Sequence, residues 1–155
     1  MRGGRPTQGW GSGGWWQRAL RAGVGMSFSV CKDFRFAAAH QIRGHRGGCE
    51  HLHGHSYRVR VWVGARELDA LGMVLDFADL KRVMEEVLGP FDHRFLNEVP
   101  PFDERNTTAE LLAQHFFAEL RARLDDGRVC VERVEVWESE SAGAVYEDAT
   151  AAPPP

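Results

Sequence analysis

His53-Gly54-His55 sets two imidazoles two residues apart. In an extended chain, residues i and i+2 point to the same side. Both rings can therefore reach one ion, while Gly54 leaves the opposite side open and lets the backbone bend. Zinc held by three protein nitrogens keeps a fourth position for a reactant, and His40 on a neighbouring strand is the candidate third ligand. A lone His-x-His pair also arises by chance. Here His40, His45, His51, His53 and His55 crowd one candidate hairpin, which favours the metal. His45 and His51 fall in the loop or in the opposite strand phase and are expected in solvent. His115 is expected on a helix surface.

Three further features have chemistry suited to moving protons or gripping a ligand. Cys49 lies just before the ligand strand in Gly-Gly-Cys-Glu-His, polar and loop-like surroundings in which a thiolate would be reactive; inert packing is the alternative. Asp92-His93 pairs a carboxylate with an imidazole, an arrangement that fixes the ring's tautomer and raises its basicity, although such dipeptides are common. Glu138 shares a strand phase with Val134 and Val136. A carboxylate on that phase needs a partner, and a guanidine-like ligand edge would supply two donors. A strand-end glutamate in water is the competing reading.

The elements that must position these groups are legible from periodicity. Phe28 to Ala38 alternates as a half-buried strand, with His40 in phase with Phe34 and Phe36. After the glycine-rich stretch Arg43 to Gly48, residues Tyr57, Val59, Val61 and Val63 share one face of a second strand, and the two could form a long hairpin. Asp76 is an N-cap for a helix running to Leu88 and stopped by Gly89-Pro90. Thr107-x-x-Glu110 has capping-box spacing before the apolar stripe Leu112, Ala113, Phe116, Phe117, Leu120 and Leu124. Strands over Arg128–Glu138 and around Ala144–Tyr146 follow. The order ββααββ predicts an α+β fold, a four-stranded antiparallel sheet with two helices on one face.

The chain has 155 residues, 43% of them hydrophobic and 26% charged, with a net charge of -3. This is the composition of one globular domain. Interleaved charges nominate neither nucleic acid nor a membrane surface as partner. An odd set of three cysteines, Cys31, Cys49 and Cys130, fits a reducing cytoplasm. Residues 1–25, rich in glycine and tryptophan, are expected to be a disordered leader or a mis-assigned start ahead of Met26. The domain is expected over 26–148, and 149–155 as a disordered tail.

In order along the chain, Phe34-x-Phe36-x-Ala38-Ala39-His40, Cys49-x-x-x-His53-Gly54-His55, Gly72-Met73-Val74-x-Asp76-Phe77, Asp92-His93-x-x-Leu96-Asn97, Asn106-x-Thr108-x-Glu110 and Glu138-x-x-x-Ala142-x-x-x-Tyr146 resemble the 6-pyruvoyl-tetrahydropterin and 6-carboxytetrahydropterin synthase family. The resemblance implies a tunnelling fold whose sheets join into a barrel, as a homotrimer or hexamer with active sites between subunits. It implies Zn2+ on His40, His53 and His55, and 7,8-dihydroneopterin triphosphate as substrate. Cys49, Asp92 and His93 then correspond to the proton-transfer residues, Glu138 to the pterin anchor, and Thr108 and Glu110 to ring contacts.

The three residues between Cys49 and His53 resemble the bacterial branch, whose product is 6-carboxytetrahydropterin, with acetaldehyde and triphosphate released on the way to queuosine. The pyruvoyl-forming enzyme, which only eliminates triphosphate, and a non-catalytic zinc- or pterin-binding assembly protein are the alternatives. Arg94 and Thr107 depart from the bacterial pattern, which often carries histidine and proline there.

Overall fold

The computed structural model describes residues 27–147; the expectations for the two termini fall outside them. Strands β1 (Phe28–His40) and β2 (His53–Ala65) form one continuous antiparallel hairpin. Its register runs from Phe28 opposite Ala65 to His40 opposite His53. Alternation decides the faces: Phe36, Ala38 and His40 on β1, and Tyr57, Val59, Val61 and Val63 on β2, are buried together.

Helix α1 (Phe77–Leu88) starts where Asp76 accepts a hydrogen bond from the Ala78 N–H at 2.7 Å, relieving one of the unpaired donors of the first turn. It buries Leu80, Val83, Met84, Val87 and Leu88. A two-residue strand β3 (Arg94–Phe95) follows. Helix α2 (Ala109–Leu124) buries Leu112, Ala113, Phe116, Phe117, Leu120 and Leu124. Strands β4 (Val129–Trp137) and β5 (Gly143–Glu147) complete a sheet of order β3-β1-β2-β4-β5. β4 bulges where Trp62 pairs with Arg133 but Val63 with Val131, so that Glu132 has no opposite number.

The architecture is α+β as expected, with one strand more than the sequence pattern indicated. β3 lies parallel to β1, through Ala38 opposite Arg94 and Ala39 opposite Phe95. It is too short to show any alternation. What sets it is the preceding turn: His93 adopts φ 57 and donates its N–H to the Ala37 carbonyl at 2.6 Å. The Asp92 carboxylate meanwhile takes the Ala37 N–H at 2.9 Å. The helix-two cap also differs. Thr108, not Thr107, is the N-cap and accepts from the Leu111 N–H, because the Thr107 side chain is turned inward.

The opposite face of the sheet carries charge. Arg60 grips Asp33 with two bonds of 2.6 and 2.9 Å. Glu135, 5% exposed, accepts from the indole N–H groups of Trp62 and Trp137 and from Arg133. A carboxylate so buried is tolerated because three donors satisfy it.

Phe116 ties the layers together, edge-on to Phe36 on β1 and to Phe91 after α1. Phe116→Ala should lower the free energy of unfolding by about 3–5 kcal/mol, measured by urea denaturation. A loss below about 1 kcal/mol would mean that the site collapses around the void at little cost.

A three-histidine cavity as candidate active site

The hairpin register carries three rings to one point. His40 and His53 are directly opposite across the strands, and His55 is two residues on in the same phase. Ring centroids are 4.5 Å apart for His40 and His53, 5.1 Å for His40 and His55, and 5.0 Å for His53 and His55. One nitrogen from each lies within 4.8 Å of the other two. Gly54 permits this approach: a Cβ there would come to 3.2 Å from the Ala38 carbonyl oxygen.

Hydrogen bonds fix the tautomers. His40 Nδ1 lies 2.9 Å from the Thr107 carbonyl, and His53 Nδ1 lies 2.8 Å from the His51 carbonyl. A carbonyl only accepts, so each Nδ1 carries a proton and each Nε2 is the nitrogen left to meet another partner. His40 Nε2 and His55 Nε2 are buried and have no hydrogen-bond partner. Burial pushes His40 down to about 4, with neighbouring His53 and His55 adding to the effect against the Thr107 bond. A neutral His40 and orphaned buried nitrogens on His40 and His55 suit a divalent ion, which needs unprotonated imidazole nitrogens.

The residues behind His40 were invisible to pattern reading. Thr107 is fully buried, and its hydroxyl donates to the Gln41 carbonyl at 3.2 Å. Asn97 clamps the same residue, accepting the Gln41 N–H and donating to the Gln41 carbonyl, both at 2.9 Å. Arg43 binds the carbonyls of Asn97, Phe102 and Arg105. Nothing in the sequence spacing says which backbone groups these short polar side chains reach. Tyr57 is also buried, stacked on Phe36 at 4.8 Å, with its ring 5.3 Å from that of His55. Its phenol is pushed up by burial and then by the charge of Glu138.

A cavity of about 370 Å³ opens on the cluster, lined by His40, His53, Cys49, Thr108, Glu110 and Glu138, together with His45. Glu138 turns toward the rings, its Oε1 4.0 Å from His40 Nε2. Imidazoles, a thiol, a hydroxyl and two carboxylates thus share one space. His45 is exposed, as expected, and borders the cavity from a loop that folds back on itself where Ile42 N–H meets the Cys49 carbonyl at 2.8 Å. His51 is exposed as expected.

Asp92 and His93 form the expected pair, Oδ1 to Nδ1 at 3.0 Å, but do not line this cavity. His93 faces a separate depression beside Ala37, Gly54 and Ser56. The Ala37 N–H and then His93 hold the Asp92 carboxyl below its usual range. His115 departs from its expected surface position: it is half-buried, its ring 5.6 Å from Phe91 and 5.4 Å from Phe102. Burial lowers its pKa. The segment between β3 and α2 covers a flank of the helix that looks polar in isolation.

Sheet, helices and a three-histidine cluster that could hold a metal ion, two of its rings lining a cavity, define a small α+β domain with one candidate site. The sequence profile described as 6-pyruvoyl tetrahydropterin synthase matches residues 29–149, and the chain belongs to that family. A Synechocystis protein named 6-carboxy-5,6,7,8-tetrahydropterin synthase is 36% identical over 122 residues, covering 76% of this chain and 91% of the relative. The human 6-pyruvoyl tetrahydrobiopterin synthase is 37% identical over 97 residues, 61% of this chain and 66% of its own. The solved structure of the Caenorhabditis elegans 6-pyruvoyl tetrahydropterin synthase superimposes with a TM-score of 0.71 at 26% identity, covering 80% of this chain and 97% of the other. No helix of the described residues is long and apolar enough to cross a membrane.

Because His40 folds neutral, the unfolded chain takes up a proton at about 6.5 that the folded chain refuses until about 4. Metal-free protein should therefore be at full stability above pH 6.5 and lose it as the pH falls toward 4. His115 acts in the same direction. Thermal melts of chelator-treated protein across this range test the point, and a melting temperature independent of pH would contradict the neutral, buried His40.

Proposed function

We propose that the protein is a zinc-dependent lyase converting 7,8-dihydroneopterin triphosphate to 6-carboxy-5,6,7,8-tetrahydropterin, with loss of acetaldehyde and triphosphate, in 7-deazapurine biosynthesis. The observation that carries this reading is the convergence of His40, His53, Cys49 and Glu138 on one cavity, in a chain whose bacterial relatives carry the 6-carboxytetrahydropterin synthase name. The short Cys49 to His53 spacing supports the same branch.

A divalent ion on the three imidazoles would acidify the C–H bonds beside the substrate oxygens it holds. The roles of the chain's own residues follow from their places. Glu138, at the far wall, takes two donors from the guanidine-like edge of the pterin. Thr108 and Glu110, at the start of α2, contact the ring. Cys49 at the rim exchanges a proton with the side chain as thiolate and thiol. His93, its Nδ1 engaged by Asp92, has Nε2 left for the second proton, and an ionised Asp92 stabilises the imidazolium.

This second pair lies outside the cavity of its own chain, which supports a homotrimeric or hexameric assembly in which a neighbouring copy brings Asp92 and His93 to the Cys49 side. The exposed edge strand β5 and the helix-free face of the sheet are suited to such joining. Location in the cytoplasm accords with three unpaired cysteines.

Zinc-loaded protein incubated with dihydroneopterin triphosphate should yield 6-carboxytetrahydropterin and acetaldehyde by mass spectrometry. Accumulation of the pyruvoyl compound would transfer the protein to the other branch, the reading favoured by the human relative. Cys49→Ala should retain one zinc per chain while turnover falls by about 10²-fold or more. Cys49→Ala and His93→Ala chains, each inactive alone, should regain activity when unfolded and reassembled together. No recovery in the mixture would place both residues in one subunit's site.

A further inference from the structure

The loop between His40 and Cys49 puts into the cavity wall a side chain for which the proposed chemistry has no task. His45 borders the same space as His40, His53, Cys49, Glu110 and Glu138. Its ring rests against Gly47, where a Cβ would come within 2.9 Å of His45 Cε1 and 3.3 Å of Nδ1. The loop that presents it is closed by the bond from Ile42 N–H to the Cys49 carbonyl and by the His45 N–H to the Ile42 carbonyl at 3.2 Å. His45 is therefore held at the rim by a compact turn.

Donor chemistry distinguishes this ring from the rest of the lining. The cavity carries two carboxylates, Glu110 and Glu138, whereas the substrate proposed above brings a polyanionic triphosphate. Two carboxylates repel that group and a metal on the imidazoles would attract any anion, so an N–H donor away from both would give the phosphates one place and the substrate one orientation. With the rings of His40 and His53 committed to the metal, His45 is the one remaining side chain with an N–H donor among the described residues lining the cavity. Arg43, in the same loop, has its guanidinium engaged by the carbonyls of Asn97, Phe102 and Arg105.

We infer that His45 is a specificity-determining residue that donates a ring N–H to the triphosphate end of the substrate, opposite the pterin end at Glu138. This inference rests on the substrate reading of the preceding section. It orients the molecule: carboxylate at the guanidine-like edge, metal at the hydroxylated side chain, imidazole at the phosphates. His45 takes no part in bond making or breaking.

The test uses the zinc-loaded full-length chain and inorganic tripolyphosphate as probe, its binding followed by calorimetry. His45→Ala should weaken tripolyphosphate binding about tenfold and raise KM for dihydroneopterin triphosphate by a similar factor, with kcat nearly unchanged. Zinc content and the affinity for dihydroneopterin, which lacks the phosphates, should stay at the wild-type level. Gly47→Ala keeps the imidazole but drives it from its seat. The backbone there is extended, φ -154, so alanine fits the chain, and the same selective loss of tripolyphosphate is expected. His51→Ala, an exposed histidine of the same loop, should change nothing.

Unaltered tripolyphosphate affinity in His45→Ala, or an equal loss of dihydroneopterin binding, would overturn the assignment. So would a wild-type chain that does not bind tripolyphosphate. If the wild type binds tripolyphosphate through His45 yet leaves dihydroneopterin triphosphate unconverted, the phosphate contact stands and the proposed reaction fails.

Discussion

The pairing of His40 with His53 across the β1–β2 hairpin is the constraint on which the rest of the site depends. Side chains alternate with period two, so a slip of one residue would send His53 and His55 to the charged face and leave His40 alone beneath the helices. The register is held by the same alternation that fills the core. Phe36, Tyr57, Val59 and Val61 are buried on that phase, and moving the rings would mean exposing all of them. Apolar packing along thirteen-residue strands thus fixes the position of three polar groups at their end.

Around that point the molecule divides its tasks between sheet and connections. The sheet provides the histidines, and Glu138 follows directly on the end of β4; these are the parts whose spacing must be fixed. The helix N-terminus and the loops provide Thr108, Glu110, Cys49 and His45, the parts that touch whatever enters. Between the two stands a small group of buried hydrogen bonds, Thr107 and Asn97 on Gln41, that ties the segment before α2 to the end of β1. The same group sets the His40 tautomer, so the helical layer is coupled to the orientation of a ligand nitrogen.

Much of this was legible in the sequence, because alternation and helical spacing report burial directly. The three histidines share a face for the same reason that the valines beside them do. Glu138 follows Val134 and Val136 in phase, and Asp76 declares its helix. What stayed hidden depends on contacts between distant segments. Two adjacent threonines can each cap α2, and only the pull of Gln41 and His40 on Thr107 leaves the task to Thr108. β3 has two residues and no period. His115 looks polar until Phe91 and Phe102 close over it. The family motifs named Asn97 and Asn106 without saying that each holds the backbone of the 41–43 segment.

The closed turn from Ile42 to Cys49 separates two rates of evolutionary change. Its ends are anchored, one by Asn97 and Asn106 and the other by the ligand strand, so residues can be gained or lost between them without displacing a single imidazole. Glycines at 44, 47 and 48 make its path cheap to redraw. A lineage could therefore reshape the mouth of the cavity, and with it the molecules admitted, while the histidine cluster beneath it remained as it was.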